Sequence, residues 1–434
     1  VKLYVKPVCG WCRQAEHWLK SQGIEFETVD VIEDPEAFEE MEIISGQTLA
    51  PVIAVDGEVL ADVPASSLHD EAPLYDRPMA EPEAPPGPSG DDLQAPADVG
   101  ADLLDLLVDP AWVYRQYDHQ LFLNTVVGPG DDATVLRLKH PTTRVDTGRG
   151  LALTTDGNHR WCAVDPRRGT ALVVAEAVLN LACVGARPLA VVNCLNFGNP
   201  EHPEVMWQLS EAVDGLAEAC VAFGVPVVGG NVSLYNESAG TDIDPTPVIG
   251  LLGMVDDLVR RPPGATLVDG HRLVLLGPSD VSLSGSLWGA TRDARGGELA
   301  PLDLELHQRV VDFVRDLVVS GRVDGVHDVS AGGLGVAVAE MVSRSGVGAH
   351  LARIEDHRAL FGEGPSRVVL VVDPECLSEV LAAAEAARVP TTRIGLATGD
   401  RLIVKGLLDV AVDDVVAAHT GRLPEALGAG TTNR

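Results

Sequence analysis

The sequence predicts a protein of mixed α/β and α+β class, made of a small N-terminal domain, a linker and a larger two-domain module. Residues 1–70 alternate short strand-like and helix-like segments in a βαβαβ order. Residues 71–98 are rich in Pro, Glu and Asp and have almost no hydrophobic periodicity, so we expect an extended linker there. From residue 99 onward, long apolar strands alternate with amphipathic helices.

A second domain boundary is expected near residue 256. The stretch 256–270 is rich in Pro, Gly and charged residues, which interrupt regular structure. We therefore expect one α/β domain over 99–256 and a second over 257–426. The chain has 434 residues, 46% of them hydrophobic, which is enough for several cores.

Charge and cysteine usage narrow the class of protein. The formal net charge of −32 argues against a nucleic-acid partner, because a phosphate backbone requires a basic face. No apolar run reaches the roughly 20 residues of a membrane span, and no signal-peptide pattern is visible, so no membrane partner is expected. The seven cysteines are scattered apart from Cys9 and Cys12, which favours reduced thiols in the cytoplasm. Although the first residue is Val1, the strand-like start leads us to expect a natural N-terminus.

A Cys-x-x-Cys motif lies in the first segment. Cys9 is placed between a predicted strand and a predicted helix, where the helix dipole and free N–H groups favour a thiolate. Lys6 adds positive charge nearby. A zinc half-site and two incidental cysteines are the alternatives, and zinc is disfavoured because no second Cys/His pair lies close by in sequence.

The first 68 residues resemble a glutaredoxin. The resemblance is carried by Lys6, Cys9, Cys12, "TLAP" and "DGEVLAD". It implies thiol–disulfide exchange, with Cys9 as nucleophile and Cys12 as resolving thiol. It also implies that Lys6, Ala50 and Pro51 contact glutathione. The motif reads CGWC where the family commonly has Pro and Tyr, and the Gly-rich turn that often holds the glutathione carboxylate is missing.

The stretch 170–200 begins like a buried helix that is apolar almost all round. Glu176 and Asn180 interrupt it, one turn apart on the same face. Burying an unpaired carboxylate costs several kcal/mol or forces it to take up a proton. This face therefore needs a partner, either an arginine of the core or a ligand.

Three other segments carry polar residues that suit such a ligand. The "GPGDDA" turn presents Asp131 and Asp132, and Asp328 precedes a glycine pair that opens a helix. The hard oxygen ligands that Mg²⁺ with a nucleotide requires are supplied by Asp131, Glu176, Asn180 and Asp328. The helix start at Gly332 and Gly333 suits a phosphate. The P-loop motif is absent, and "GDD" turns and single buried glutamates also occur for purely structural reasons.

Six motifs, in order and spacing, resemble the second half of the synthetase subunit of phosphoribosylformylglycinamidine synthase. They lie between about residues 110 and 425 and are "YRQYDHQLFLNTVVGPGDDA", the stretch that begins "DPRRGTALVV", "PVVGGNVSLYNE", "PTPVIG", "HDVSAGGLGVAVAEM" and "LFGEGPSR". The resemblance implies two domains of the aminoimidazole ribonucleotide synthetase superfamily. It also implies a ligase of purine biosynthesis, in which ATP phosphorylates the amide oxygen of formylglycinamide ribonucleotide and ammonia then displaces phosphate to give the amidine.

The same resemblance assigns roles to individual residues. It implies that Asp131, Glu176, Asn180 and Asp328 hold ATP or ADP through Mg²⁺, at a site where the family keeps a nucleotide without turnover. His119 stands where the first half of the family carries its catalytic histidine, and is our candidate for catalysis. Contacts to nucleotide, substrate or phosphate are expected from Asn158, His159, Asn231, Gly332, Gly333 and Arg367.

Three functions follow from this pattern. The chain is a half-enzyme for amidation, acting with a first-half chain or as a homodimer and taking ammonia from a glutaminase subunit. Alternatively, it is a regulatory or scaffold protein that binds Mg-ADP without chemistry. The third function is thiol–disulfide exchange at Cys9 and Cys12, with the remainder of the chain as its target or anchor.

Overall fold

The computed structural model describes residues 1–5, 12, 16, 19, 20, 23–32, 34–45, 52–55, 58–60, 78–83, 86–117, 119, 120 and 123–428. The chain separates into two compact units, 1–78 and 79–434, which are described individually. Among the described residues, no helix is both long and apolar enough to cross a bilayer.

A four-stranded mixed sheet forms the N-terminal unit. Its described elements are β1 (Lys2–Val5), β2 (Glu27–Asp30), α1 (Pro35–Ser45), β3 (Val52–Val55) and β4 (Glu58–Leu60). The strand order is β2-β1-β3-β4, with β1 parallel to β2 and the other neighbours antiparallel. Leu3 and Tyr4 of β1 and Met41 of α1 are fully buried, so the sheet and this helix each contribute to a small core.

A six-stranded sheet occupies the first part of the second unit. The elements are α2 (Val99–Leu106), α3 (Ala111–Tyr114), β5 (Thr125–Val127), β6 (Thr134–Lys139), β7 (Asp146–Gly157), α4 (His159–Val164), α5 (Pro166–Cys183), β8 (Arg187–Asn196), α6 (Pro203–Ala222), β9 (Val227–Ser233), β10 (Glu237–Ser238), β11 (Thr241–Asp242) and β12 (Thr246–Val255). The strand order is β5-β6-β7-β12-β8-β9. Neighbours are antiparallel except for the parallel pair β8 and β9 at the edge.

A seven-stranded sheet follows. The elements are β13 (Arg272–Leu276), α7 (Leu287–Ala290), α8 (Leu304–Ser320), β14 (Gly325–Asp328), α9 (Gly333–Ser345), β15 (Ala349–Leu351), α10 (His357–Phe361), β16 (Val368–Val372), α11 (Leu377–Ala386), β17 (Thr391–Ala397), β18 (Arg401–Val404), β19 (Leu408–Ala411) and α12 (Val412–Ala426). The strand order is β14-β16-β13-β17-β15-β18-β19. Strand β16 is an uninterrupted run of Val and Leu because both of its faces are buried.

The helix α5 joins the two sheets. Asp165 caps its N-terminus by accepting a hydrogen bond from the Arg168 backbone N–H at 2.8 Å. The helix contacts β7, β12 and α8, and one hydrophobic cluster runs through it from the first sheet into the second. His307 of α8 adds a polar link, because its Nε2 lies 2.9 Å from the Ala175 carbonyl oxygen and its Nδ1 2.9 Å from Ser366 Oγ.

Part of the expected linker belongs to the folded body. Residues 87–93, which we call the strap, pack against other residues of the second unit. They form a short 3₁₀ turn at Gly90–Asp92, capped by the Ser89 hydroxyl. A Cβ atom at Gly90 would lie 2.2 Å from the Leu283 carbonyl oxygen, so only glycine fits. The expectation of an extended linker over 71–98 is corrected for the strap, because these residues dock through polar contacts that hydrophobic periodicity does not reveal.

Candidate metal and nucleotide site

Four carboxylates from four separate segments meet inside the second unit. They form the acid cluster, which consists of Asp132, Asp156, Glu176 and Asp328. Asp132 lies in the turn before β6, Asp156 near the end of β7, Glu176 in the middle of α5 and Asp328 at the end of β14. The sequence prediction that Glu176 and Asp328 belong to one site agrees with this arrangement.

Burial makes the acid cluster electrostatically unfavourable on its own. Burial raises the pKa of Asp156 to about 7, and burial together with repulsion from Asp132 raises the pKa of Asp328 to about 7. The pKa of Glu176 is raised well above its ordinary value by burial and by repulsion from Asp156 and Asp328. Burial and mutual repulsion therefore favour the protonated forms of Asp156, Glu176 and Asp328, and a cation among them would favour the ionised forms.

Asn180 links the helix face to the cluster. Its Nδ2 donates to Asp156 Oδ1 at 2.7 Å, and the Thr154 hydroxyl donates to the other oxygen of Asp156 at 2.7 Å. The Oδ1 atom of Asn180 is buried without a hydrogen-bond partner among the described residues. A small cavity of about 20 Å³, large enough for an ion or one water, borders Glu176 and Asp328. Glu176 and Asp328 supply carboxylate oxygens to the lining of this cavity, and carboxylate oxygens are ligands that Mg²⁺ takes.

A buried histidine holds one side of the acid cluster. His327 lies between two carboxylates, with Nδ1 2.5 Å from Asp132 Oδ1 and Nε2 2.9 Å from Glu340 Oε2. Burial alone would lower the pKa of His327, but the two carboxylates raise it well above its ordinary value. Burial would raise the pKa of Asp132, but the charged imidazole holds it below its usual range. Sequence reasoning missed His327, although the motif that contains it was recognised.

The structure does not bring Asp131 into the cluster. Its carboxylate accepts hydrogen bonds from the Ala265 backbone N–H at 3.2 Å and from Arg344 Nη1 at 3.3 Å. The neighbouring Asp132 is the residue that faces His327 and Asp328. Adjacent side chains in an extended turn point to different sides, so only one of the two aspartates can reach the site.

The backbone N–H groups of Gly332 and Gly333 both have hydrogen-bond partners within the chain. The Gly332 N–H donates to Glu363 Oε1 at 2.8 Å and the Gly333 N–H donates to the Ser330 carbonyl oxygen at 3.0 Å. Gly332 has φ of 81° and Gly333 φ of 69°, which explains why glycine stands at both positions. Both amides that we expected to face a phosphate are therefore already engaged within the chain.

Glu363 is a second residue that sequence reasoning missed. Its buried carboxylate accepts three hydrogen bonds, from Trp161 Nε1 at 2.8 Å, the Leu287 N–H at 2.7 Å and the Gly332 N–H at 2.8 Å. Burial raises its pKa. Trp161 belongs to α4, in the domain of the six-stranded sheet, whereas Leu287 and Gly332 belong to the domain of the seven-stranded sheet. Glu363 therefore links the two domains beside the acid cluster.

The remaining candidate residues lie in various settings. Asn158 caps α4 by accepting a hydrogen bond from the Trp161 N–H at 3.3 Å, and His159 begins the same helix with its pKa lowered by burial. Asn231 is exposed on β9, with Nδ2 3.8 Å from Cys194 Sγ. Burial lowers the pKa of Arg367 to about 10, and its Nε has no partner among the described residues.

His119 is the predicted catalytic residue of the second unit. His119 contacts Tyr117, whose carbonyl oxygen is 3.2 Å from Nδ1, and packs edge-on against Tyr114. In the N-terminal unit, Cys12 is buried. The other predicted thiol-site residues, Lys6, Cys9, Ala50 and Pro51, lie outside the described residues.

Three family models match the chain. A model described as AIR synthase related protein, N-terminal domain, matches residues 130–255, and its C-terminal counterpart matches residues 268–406. A glutaredoxin model matches residues 1–60. These matches confirm the expected fold class and both resemblances.

Curated relatives are phosphoribosylformylglycinamidine synthase subunits named PurL. The protein from Moorella thermoacetica is 43% identical over 365 residues, covering 81% of this chain and 49% of that protein. The one from Methylocella silvestris is 42% identical over 393 residues, covering 88% and 52%. The chain thus spans about half the length of the relatives it matches. A solved structure, T. maritima PurL complexed with FGAR, has a TM-score of 0.56 at 18% identity and covers 74% of this chain and 54% of that one. It supports the fold.

Proposed function

Because the chain belongs to the AIR synthase related family and carries a glutaredoxin domain, we propose that it takes part in purine biosynthesis. The proposed reaction is the ATP-dependent amidation of formylglycinamide ribonucleotide to formylglycinamidine ribonucleotide, a C–N bond-forming ligase reaction. The observation that carries the proposal is the acid cluster, whose buried carboxylates would be stabilised in their ionised form by a cation. The names of the curated relatives support the choice of substrate.

Mg²⁺ is the proposed metal of the acid cluster. Asp132, Asp156, Glu176 and Asp328 would hold it, with Asn180 Oδ1 as a neutral ligand. When bound, Mg²⁺ neutralises and orients the phosphates of ATP or ADP. Asp132 takes the role expected for Asp131, and His327 keeps the Asp132 carboxylate ionised and correctly oriented. The buried guanidinium of Arg367 is a proposed contact for an anionic group of the substrate.

The half-length match supports a partner. Strand β9 lies at the edge of the six-stranded sheet, and its Val227, Val228 and Val232 are 46%, 65% and 52% exposed. An apolar edge of this kind is suited to pairing with another sheet. The proposed partner is a first-half synthetase chain or a second copy of this chain. A separate glutaminase subunit would supply the ammonia.

Binding of Mg-ADP without turnover is the second candidate function. It is favoured by the position of His119, which contacts Tyr114 and Tyr117 instead of the acid cluster, and by the engaged amides of Gly332 and Gly333. In this case the bound nucleotide would stabilise the fold or report nucleotide levels.

The N-terminal domain is proposed to carry out thiol–disulfide exchange. The match of residues 1–60 to the glutaredoxin model supports this activity, with Cys9 as nucleophile, Cys12 as resolving thiol and glutathione as reductant. Reduced thiols and an enzyme of purine synthesis both fit a cytoplasmic location.

Phosphate release by the full chain tests the amidation proposal. The assay contains ATP, Mg²⁺, formylglycinamide ribonucleotide and excess ammonium, and Mg-ADP binding is measured in parallel by calorimetry. Glu176→Gln removes one charge from the acid cluster, and Glu305→Gln, an exposed position on α8, is the matched control.

The outcomes separate the two candidate functions. Substrate-dependent release that is lost in Glu176→Gln and kept in Glu305→Gln supports amidation by this chain. Tight Mg-ADP binding without phosphate release supports either the non-catalytic role or a requirement for a first-half partner. Adding a first-half chain to the assay distinguishes these two cases. Failure of the folded protein to bind Mg-ADP overturns the proposed site.

A further inference from the structure

The strap docks through one aspartate. The carboxylate of Asp91 accepts hydrogen bonds from the Leu283 N–H at 3.0 Å and Ser284 Oγ at 3.1 Å. It also lies 2.7 Å from Ser282 Oγ, whose one proton is shared with the Glu298 carbonyl oxygen at 2.7 Å. A carboxylate held by several directed donors keeps one orientation. Asp91 therefore fixes the start of the loop formed by residues 282–287.

Contacts on both sides of Asp91 make the docking specific. Ser89 Oγ lies 3.2 Å from Ser284 Oγ, and the Arg358 guanidinium donates to the backbone carbonyl of Asp91. Gly90 packs directly on the Leu283 carbonyl group, where no side chain fits. The neighbouring Asp92 is exposed. Of these two adjacent aspartates, Asp91 is thus the one that secures the strap.

The loop transmits this constraint to Glu363. The Ser282 N–H donates to the Glu363 carbonyl oxygen at 3.0 Å, and the Glu363 N–H donates to the Ser282 carbonyl oxygen at 2.9 Å. At the other end of the loop, the Leu287 N–H donates to the Glu363 carboxylate. The backbone and the side chain of Glu363 are therefore both held by the loop that Asp91 holds.

Glu363 in turn holds two groups beside the acid cluster. Trp161, whose indole N–H it accepts, borders the small cavity together with Glu176 and Asp328. Gly332, whose N–H it also accepts, follows Asp328 by four residues at the start of α9. Hydrogen bonds thus lead from the strap through Glu363 to Trp161 and Gly332, which lie beside Glu176 and Asp328 in the cavity lining and along the chain.

We propose that Asp91 is a positioning residue for the Mg-nucleotide site, acting through the 282–287 loop and Glu363 on the two groups that flank Glu176 and Asp328. This inference rests on the proposed function of the acid cluster. The strap has the composition of a linker, and this proposal gives it a role in shaping the site.

The test uses the full chain with Asp91→Ala, with Asp92→Ala as the control that removes the same charge one residue away. Asp91→Asn is the conservative variant, because Asn keeps an acceptor for the Leu283 N–H and its amide can donate to a serine hydroxyl. Ser284→Ala removes the hydroxyl that contacts Asp91 and Ser89 but leaves the Leu283 N–H and Ser282 Oγ contacts of Asp91, so it is the milder variant if Asp91→Ala does not fold. Two quantities are measured: hydrogen exchange of peptides covering 284–288 and 330–334, and the affinity for Mg-ADP.

We expect Asp91→Ala to speed amide exchange in both peptides and to weaken Mg-ADP binding by about fivefold, within the range typical of coupled sites. Asp92→Ala should match the wild type, Asp91→Asn should recover most of the affinity, and Ser284→Ala should lie in between. Unchanged exchange at 330–334 in Asp91→Ala, with the strap released, overturns the proposal. If the wild type does not bind Mg-ADP, the proposed function fails, while the exchange at 330–334 still decides whether Asp91 controls these groups.

Discussion

Asn180 and Asp156 form the one polar bridge described here between the helix α5 and the strand β7 at the acid cluster. Asn180 Nδ2 donates to Asp156 Oδ1 at 2.7 Å, which leaves Asn180 Oδ1 buried and unpaired among the described residues. An unpaired buried amide oxygen is costly unless a ligand uses it.

Replacing Asn180 therefore tests the metal site. Asn180→Leu removes both the unpaired oxygen and the donor to Asp156. We expect Mg-ADP affinity to fall by about tenfold or more, because groups that orient or complete a metal site carry effects of that size. Calorimetric titration with Mg-ADP measures the change. An affinity equal to that of the wild type would exclude Asn180 from the site.

Asn158 distinguishes a structural role from a binding role. Since its side chain caps α4, Asn158→Ala should lower the free energy of unfolding by about 1 kcal/mol. Asn158→Asp keeps the capping oxygen and should retain most of the stability. Urea unfolding of both variants measures the effect. If Asn158→Ala lowers the free energy of Mg-ADP binding by more than it lowers the free energy of unfolding, Asn158 contacts the nucleotide as well.

The acid cluster predicts how stability depends on pH in the absence of metal. Asp156 and Asp328 have a pKa of about 7 in the folded protein and near 4 when unfolded. Below pH 4 both states bind the protons equally. As pH rises toward 7 the unfolded state releases them first, so the two groups increasingly destabilise the fold.

We therefore expect the melting temperature in EDTA to fall between pH 5 and pH 8, and Mg²⁺ to restore it more at pH 8 than at pH 5. Thermal scans across this range measure the effect. Asp328→Asn should flatten the profile in EDTA only in part. The raised pKa of His327 also makes stability fall as pH rises above 6.5, and the lowered pKa of Asp132 makes stability fall at the acidic end. A melting temperature that rises steadily to pH 8 in EDTA would contradict this account of the cluster.

His327 should matter strongly for stability. His327→Ala leaves Asp132 and Glu340 buried without their shared partner, and breaking a buried ion pair in this way costs about 3 kcal/mol or more. His350→Ala, at an exposed position, is the control. Chemical unfolding gives both free energies, and a loss below about 1 kcal/mol for His327→Ala would show that the pair contributes little.

Thiol reactivity should follow burial. Burial raises the pKa of Cys162 to about 12, and burial with the nearby Asp132 raises that of Cys183 well above its ordinary value. Both should resist iodoacetamide in the native protein, while the partly exposed Cys194 and Cys376 react first among the cysteines described in the second unit. Peptide mass spectrometry measures the order. Labelling of Cys183 as fast as Cys194 would show that α5 opens readily.

Sequence patterns revealed the elements better than the partners of individual side chains. The polar pair Glu176 and Asn180 stood out because it interrupts an apolar helix, and the structure places both beside Asp156 or Asp328. The choice between Asp131 and Asp132 was not open to sequence reasoning, since two identical neighbours differ only in which way the turn directs them. Their roles depend on Arg344 and His327, which lie about 200 residues away along the chain.

Long-range polar contacts account for the other omissions. Glu363 accepts from Trp161 and Gly332, and Asp91 accepts from the 282–287 loop, across separations that no local spacing encodes. The strap is rich in Gly, Pro and Asp, the composition of a flexible segment. It is ordered by a few directed hydrogen bonds and by one glycine that fits closely against a backbone carbonyl.

The hydrophobic cluster that passes through α5 and α8 gives the two domains of the second unit a shared core, so we expect them to unfold together. Calorimetry of the second unit should accordingly show one transition, not two. A protein fragment that ends within the domain boundary at 256–270 would expose to water the apolar face of α5 that packs against α8. We therefore expect a fragment that holds both domains to be more stable than either domain alone.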